Sequence, residues 1–206
     1  MRETLGMHST LGAEDESCVT ALVTQRFHAA DTEGSAAGCV TPASHRPGSL
    51  GLMDLILWRH ADARDARQGE PDAERPLTAK GERQAARMGH WLSRQLPDTT
   101  RVLVSPTLRT RQTAAHLDRK LRLCADVAPG ASVDTLLEAA RWPDARDPVL
   151  VVGHQDTLGL TVAWLLAHSV EPWTVRKGAV WWLRRRERED TAPSVVLHAA
   201  LSPDHV

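Results

Sequence analysis

The sequence predicts an α/β fold in which a mostly parallel central sheet is flanked by helices on both faces and extended by antiparallel C-terminal edge strands. Residues 54–60 and 148–154 each contain an apolar run that ends abruptly in a histidine. Short apolar runs of this kind are typical of parallel strands that are buried on both faces. A third run, residues 101–104, leads through a turn into a helical segment. Segments with helical periodicity separate the runs, so strands and helices alternate along the chain.

The chain of 206 residues changes character near position 52. Residues 1–52 are rich in small, hydroxyl and acidic residues and hold one aromatic, Phe27, whereas all seven tryptophans follow Met53. Such a composition buries too little apolar area to offset the entropy lost on ordering. We therefore expect residues 1–52, with a weak helix over 18–30, to be a disordered extension or sequence upstream of the true start at Met53. A regulatory or docking arm is the alternative. Residues 53–206 are expected to form the functional domain.

A polar loop over residues 61–75 follows the first strand. Arg75-Pro76-Leu77-Thr78 then introduces a helix, for which Thr78 is a natural N-cap. Apolar residues then recur at helical spacing up to Pro97, which cannot continue a helix. The residues of this apolar stripe are Ala85, Met88, Leu92 and Leu96. With the strand at 101–104, the chain has built a βαβ unit.

The second helix is predicted to begin at Ser105-Pro106-Thr107 and to reach about Leu121. Proline is well placed near a helix start, and Ser105 or Thr107 can cap the helix. Arg109 and Gln112 are three residues apart, so both face the same side near the N-terminal end. Free N–H groups at that end attract anions.

The C-terminal half continues the alternation. A short segment at 132–140 precedes the strand at 148–152, and residues 157–168 form a helix that is apolar nearly all round and therefore buried. Residues 179–184 and 194–201 alternate like strands and are predicted to pair antiparallel at one edge of the sheet, with a turn region over 185–193. We interpret residues 184–186, three arginines, as a solvated strand end rather than a nucleic-acid patch.

Composition narrows the functional classes. The net charge of −1 gives no general attraction to nucleic acid or to membranes. Three cysteines without a CxxC spacing favour a reducing compartment and argue against a disulfide framework. No apolar run reaches the length of a membrane span, and the N-terminus has no secretory pattern. The expected location is the cytoplasm, with neither nucleic acid nor membrane as a partner.

Parallel strands deliver their C-terminal residues to the same edge of a sheet, which is where such folds bind ligands. Arg59, His60, Arg109 and His154 would meet there. Neutral histidine is a competent nucleophile, and guanidinium forks match phosphate oxygens. A protonated His154 would add a further donor, and a bound dianion would favour that protonation. This set suits a phosphoryl group without a metal or cofactor. The metal alternative would use His60, Asp62 and His154 as ligands, but nothing else clusters at ligand spacing.

These residues resemble the histidine phosphatase superfamily, which has the phosphoglycerate mutase-like fold. Four motifs occur in the family's order over about residues 53–200 and are most similar to the phosphohistidine phosphatases of the SixA type. The motifs are Arg59-His60-Ala61-Asp62-Ala63, then Arg75-Pro76-Leu77-Thr78 with Gly81, then 102–106 with Arg109, Gln112 and Thr113, and finally Val151-Val152-Gly153-His154. The family's usual glycine after the first histidine is alanine here.

The resemblance implies roles for individual residues. His60 would be the nucleophile that becomes phosphorylated, Arg59, Arg109 and His154 would complete the phosphate pocket, and Arg75 would line its mouth. Larger relatives use an acidic residue as the proton donor, sometimes next to the second histidine. Glutamine stands at that position here, so Glu138 is the best candidate.

The predicted function is a metal-independent phosphohistidine phosphatase that acts on a phosphoprotein. An imidazole leaving group has a pKa of about 6.5 and needs less help from an acid than an alcohol does. The 44 residues between Arg109 and His154 leave little room for a helical lid, so a protein-borne phosphohistidine could enter. The alternatives are a phosphatase for small phosphomonoesters and a non-catalytic phosphate-binding module.

Overall fold

The computed structural model describes residues 53–188 and 191–206. The predictions for residues 1–52 concern a segment outside this part of the chain. Six strands lie within the described residues: β1 (Met53–Arg59), β2 (Arg101–Val104), β3 (Leu121–Leu123), β4 (Val149–Gly153), β5 (Val180–Arg188) and β6 (Thr191–Leu201). The α-helices are α1 (Ala79–Gln95), α2 (Leu108–Ala114), α3 (Val133–Ala140) and α4 (Gln155–Ala167). None of these helices combines the length and the apolar character needed to cross a bilayer.

The strands form one mixed sheet in the order β3-β2-β4-β1-β5-β6. β1 and β2 each pair in parallel with β4, and β3 pairs in parallel with β2. β5 pairs antiparallel with β1, and β6 pairs antiparallel with β5. The predicted fold class is confirmed: a mostly parallel sheet with antiparallel C-terminal strands at one edge.

The core lies on both faces of the sheet because successive side chains of a strand point in opposite directions. In β1, Leu55 and Leu57 belong to a buried cluster that includes residues of α3 and α4. Ile56 and Trp58 belong to the opposite cluster, which includes residues of α1. The continuous apolar run of β1 therefore reflects burial on two sides.

Helix α1 follows its sequence signals closely. The Thr78 side chain accepts a hydrogen bond from the Gly81 N–H, as an N-cap does. Ala85, Met88 and Leu92 are buried on the helix, and Leu96 forms its C-cap before Pro97. The cap and the apolar stripe together confirm the predicted helix.

The second helix is shorter than predicted, which corrects its boundary. It ends at Ala114 rather than near Leu121, and residues Leu121–Leu123 form strand β3. The Arg119 guanidinium holds the intervening turn by donating to the carbonyls of Leu96 and Pro97. Pairing with β2 then makes 121–123 a strand, a long-range effect that local periodicity does not report.

The C-terminal hairpin is longer than predicted. β5 continues to Arg188 and β6 begins at Thr191, so most of the expected turn region 185–193 is strand. The interpretation of Arg184 as part of a solvated strand end was wrong. Its guanidinium forms a bidentate pair with Asp54, the residue opposite it on β1, and its side chain is 23% exposed. This pairing explains why charged residues are accepted inside the sheet.

Candidate active site

The two histidines meet at the C-terminal edge of the parallel strands. His60 follows β1 and His154 follows β4, and the register places Arg59 opposite Gly153. The backbone N–H of His60 donates to the Gly153 carbonyl at 3.0 Å. The imidazole centroids are 5.4 Å apart, and both side chains are buried. The backbone pairing of two parallel strands thus brings together groups that are 94 positions apart in the sequence.

His60 is held as a neutral imidazole. Its Nδ1 lies 2.8 Å from the Ala61 carbonyl oxygen, which can only accept a hydrogen bond, so the proton sits on Nδ1. The lone pair is therefore on Nε2. Burial is the largest cause that lowers the pKa of His60 to about 4; the hydrogen bond to Ala61 opposes it, and the nearby guanidinium groups add to it. An unprotonated Nε2 at neutral pH is what a histidine nucleophile needs.

His154 has the opposite tautomer. Arg109 can only donate, and its Nη2 makes a long hydrogen bond of 3.4 Å to His154 Nδ1, so Nδ1 carries the lone pair. Nε2–H then donates to the Ser105 hydroxyl at 2.8 Å. Burial and then the charge of Arg109 lower the pKa of His154 to about 3. His154 is therefore a neutral acceptor toward Arg109.

Arg59 is anchored by the segment that precedes β5. Its Nη1 donates to the Val175 carbonyl at 2.7 Å and to Gln155 Oε1 at 3.1 Å. The Gln155 amide nitrogen donates in turn to the Trp173 carbonyl at 2.8 Å. This segment lies so close to α4 that a Cβ at Gly159 would overlap the Trp173 carbonyl oxygen. The Arg59 Nε–H remains buried without a hydrogen-bond partner among the described residues.

Arg109 is buried more deeply, with 4% of its side chain exposed. Its Nη1 donates to the Asp72 carbonyl at 2.6 Å, and its Nη2 donates to the Asp72 carboxylate at 2.8 Å. Its Nε–H is also buried and has no partner within the described part of the chain. Buried donors are almost always paired, so the Nε–H groups of Arg59 and Arg109, which have no partner among the described residues, are donors that a bound acceptor would satisfy.

Asp72 also contacts Arg75. The Arg75 Nε donates to Asp72 Oδ1 at 2.8 Å, and the Arg75 Nη1 donates to the Arg64 carbonyl at 2.9 Å. Burial alone would raise the pKa of Asp72, but hydrogen bonds from Arg109 and Arg75 hold it below its usual value. Sequence reasoning did not identify Asp72, because nothing local distinguishes it from the other charged residues of this loop.

The comparisons with known proteins indicate one family. The model of the histidine phosphatase superfamily (branch 1) matches residues 55–132. Phosphohistidine phosphatase SixA from Escherichia coli (strain K12) is 33% identical over 129 residues, which cover 58% of this chain and 78% of the relative. The chain belongs to the histidine phosphatase superfamily. Membership implies a phosphatase, a hydrolase that acts on a phosphorylated substrate.

Solved structures of this superfamily share the fold. The protein histidine phosphatase SixA in complex with tungstate is 26% identical, with a TM-score of 0.55 over 73% of this chain and 97% of that chain. A phosphoserine phosphatase mutant from Entamoeba histolytica in complex with phosphoserine is 15% identical, with a TM-score of 0.56 over 75% of this chain and 99% of that chain. At that identity the second similarity concerns the fold alone.

The third superfamily motif joins the first two. Gln112 accepts a hydrogen bond from the Leu77 N–H at 2.8 Å, and Thr113 accepts one from the Ala61 N–H at 3.0 Å. The same Thr113 hydroxyl donates to the Arg109 carbonyl at 2.7 Å. Alanine in place of the superfamily glycine is accommodated, since Ala61 is not among the described residues with positive φ. Gln112 and Thr113 thus connect helix α2 to the backbone of the first two motifs.

The second motif is fixed by close approach of the backbone. A Cβ at Gly81 would overlap the Asp62 carbonyl oxygen, so this position of α1 needs a glycine. The Asp62 carboxylate is held by Lys177 at 2.6 Å and by the Thr78 hydroxyl at 2.8 Å. A lysine bound to this carboxylate opposes the metal alternative, in which Asp62 would join His60 as a ligand.

The remaining predicted residues have different surroundings. α2 has seven residues, too short for much of a helix dipole, so the guanidinium groups supply most of the positive charge. Its N-cap is Thr107, whose hydroxyl pairs with Thr110 instead of capping the helix. Ser105, expected as a possible cap, contacts His154 instead. Glu138 lies on α3 with an exposed side chain, and its role as proton donor stays a prediction.

Proposed function

We propose that this chain is a phosphohistidine phosphatase that acts on a phosphoprotein through a covalent phosphohistidine intermediate on His60. The observation that carries the proposal is the meeting of His60 and His154, with ring centroids 5.4 Å apart, beside the guanidinium groups of Arg59 and Arg109, whose Nε–H groups have no partner in the described part of the chain. Both guanidinium groups lie close enough to lower the pKa of His60 and of His154. Two permanent cations and a deprotonated imidazole nitrogen suit an anion that is attacked at its central atom.

The reaction has two displacements at phosphorus. In the first, the lone pair of His60 Nε2 forms a P–N bond while the P–N bond of the substrate phosphohistidine breaks. The substrate phosphohistidine is protonated on its other ring nitrogen, so its imidazole leaves with that electron pair as a neutral group and needs no further proton. In the second, water attacks the phosphorus, the bond to His60 breaks, and inorganic phosphate is released as the water proton is lost. Arg59 and Arg109 hold the equatorial oxygens in both steps.

The leaving group favours phosphohistidine over an alcohol ester. The carboxylate that contacts the guanidinium groups of the site is Asp72, and its lowered pKa makes it ionised at neutral pH. An ionised carboxylate cannot protonate an alkoxide as it departs. An imidazole leaves with a conjugate-acid pKa of about 6.5 and does not depend on such a donor. The similarity to SixA, described as a phosphohistidine phosphatase, supports the same substrate class.

The decisive experiment traps the intermediate. A protein phosphorylated on histidine with radioactive phosphate is mixed with enzyme and quenched within milliseconds in alkali, which preserves phosphohistidine. The wild-type enzyme should carry acid-labile label, and His60→Ala should carry none. His90→Ala, a change at an exposed histidine of α1, is the matched control and should retain the label. Unchanged turnover by His60→Ala without trapped phosphate would overturn the role of His60.

The rival function is a phosphatase for small phosphomonoesters, because the fold is shared with the phosphoserine phosphatase of Entamoeba histolytica. The two are separated by kcat/KM on a phosphohistidine protein and on phosphoserine or a sugar phosphate. We expect kcat/KM to be at least tenfold higher on the phosphohistidine protein, about the effect of 1.4 kcal/mol in the barrier. A preference for the small esters would refute the proposed substrate class while leaving the intermediate on His60 intact. A non-catalytic binding module would show no turnover on either substrate.

A further inference from the structure

We propose that Asp72 is a positioning residue that fixes the Arg109 guanidinium so that its free edge faces the phosphoryl group. This inference rests on the proposed function and adds a residue outside the four motifs that carry the family resemblance. Asp72 is 37 positions from Arg109 in the sequence and lies in a single turn of 3₁₀ helix, Asp72–Glu74.

A guanidinium group has two edges that can each make a pair of hydrogen bonds. One edge presents Nη1 and Nη2, and the other presents Nε and Nη2. Asp72 takes the first edge of Arg109 with its carbonyl at 2.6 Å and its carboxylate at 2.8 Å. The second edge is left with the buried, unpaired Nε–H and with the Nη2 that reaches His154 Nδ1 at 3.4 Å. The free edge of Arg109 therefore faces the histidine side of the pocket.

Asp72 is itself held in place, as a positioning group must be. Oδ1 is bound by the Arg75 guanidinium at 2.8 Å, while Oδ2 is bound by Arg109. Arg75 is fixed by the Arg64 carbonyl, and the backbone turn is closed by a hydrogen bond from the Glu74 N–H to the Pro71 carbonyl. Asp72 thus binds two arginines, one through each of its carboxylate oxygens.

The rival explanation is that Asp72 imitates the substrate anion and must be displaced by it. The contacts favour positioning for two reasons. One of the two bonds to Arg109 comes from a backbone carbonyl, which carries no charge and imitates no phosphate. The Nε–H has no partner among the described residues, so a phosphoryl oxygen that binds it breaks no existing hydrogen bond.

The test measures binding of tungstate, a tetrahedral oxyanion, by calorimetry, together with kcat and KM on the phosphohistidine protein. Asp72→Asn should weaken tungstate binding and lower kcat/KM by about tenfold or more, the loss expected for one charge-assisted hydrogen bond. Asp72→Glu keeps the charge but displaces the carboxylate, so a positional role predicts a loss here also. Glu74→Gln, in the same turn, is the matched charge control and should change neither quantity by more than about twofold.

A double-mutant cycle separates positioning from a general structural effect. Lysine has no guanidinium group for Asp72 to orient, so in an Arg109→Lys background Asp72→Asn should cause little further loss of tungstate binding. An equal loss in both backgrounds would overturn the proposal, as would tighter tungstate binding by Asp72→Asn, which would identify Asp72 as a displaced competitor. Melting temperatures of all variants report whether the fold persists. If wild-type enzyme traps no phosphate but tungstate binding still depends on Asp72 through Arg109, the catalytic proposal fails and the positioning role stands.

Discussion

Gly159→Ala tests how the anchor of Arg59 is built. In the middle of α4 this change improves helix propensity by about 1 kcal/mol, so sequence reasoning alone predicts a more stable protein. The structure predicts the reverse, because the new Cβ would overlap the Trp173 carbonyl oxygen and lie 2.9 Å from Gln155 Nε2. The Trp173 segment would have to move away from the helix.

The cost follows from the contacts that would be lost. The backbone N–H of Trp173 donates to the Gly159 carbonyl at 3.2 Å, and the Trp173 carbonyl accepts a hydrogen bond from the Gln155 side chain at 2.8 Å. Two hydrogen bonds at about 1 kcal/mol each, with about 1 to 3 kcal/mol of residual overpacking, outweigh the gain in helix propensity. The net destabilisation should be about 2 to 4 kcal/mol, or roughly 5 to 15 °C in Tm for a domain of this size.

Activity should fall as well, because the displaced segment carries the Val175 carbonyl that anchors Arg59. We expect kcat/KM to decrease by about tenfold through misplacement of one phosphate ligand. Thermal unfolding by circular dichroism and steady-state kinetics measure the two effects. Gly153→Ala is the stability control, since its Cβ would meet only the Leu158 side chain, at 3.4 Å, and should shift Tm less. A Tm at or above that of wild type with unchanged kcat/KM would refute the reasoning.

Further predictions concern the histidines and their surroundings. The pKa of His60 is about 4 and that of His154 about 3, against 6.5 for ordinary histidine, so the unfolded chain takes up protons first as pH falls. The free energy of unfolding, measured by urea titration, should therefore decrease from about pH 6.5 towards pH 4. The decrease should be smaller in a variant that carries both His60→Gln and His154→Gln. Inorganic phosphate binding at pH 6 should take up a proton at His154, seen by calorimetry in buffers of different ionisation enthalpy. Ser105→Ala leaves the His154 Nε2–H without its acceptor and should lower the free energy of unfolding by about 1 to 3 kcal/mol. The control is Ser93→Ala, which removes a hydrogen bond within helix α1 and should lower it by under about 0.5 kcal/mol. Turnover should be unchanged by EDTA, and a loss that zinc restores would instead support a metal site.

The sequence predicted the elements that present the two histidines because those elements have strong local signals. β1 and β4 are buried on both faces, and such strands are continuous apolar runs that end where the chain leaves the sheet. Strand β3 has no such signal, since three residues with an arginine in the middle carry no usable period. Its structure comes from pairing with β2, which is a property of the folded chain.

The same distinction explains what was missed in the site. His60 and His154 stand at strand ends, where chemistry is expected, whereas Asp72 stands in a charged loop that looks like solvated surface. Its side chain is 59% exposed, yet one carboxylate oxygen contacts a guanidinium that is almost fully buried. Ser105 was recognised as a possible helix cap, but its contact with His154 depends on the adjacency of β2 and β4. Both roles are defined by partners that only the fold brings near.

A phosphoryl group would complement both the positive charge and the hydrogen-bond donors of this site. Arg59 and Arg109 are permanent cations beside two buried imidazoles, and each keeps one Nε–H unpaired. Burial first, and then the charges of these guanidinium groups, lower the pKa of His60 and so preserve its nucleophilic lone pair well below neutral pH. A bound dianion supplies acceptors for the orphaned donors and cancels the field at His154, which can then be protonated and donate to the anion. The site therefore favours a multiply charged anion over a neutral ligand, because only an anion offsets the charge of the two guanidinium groups.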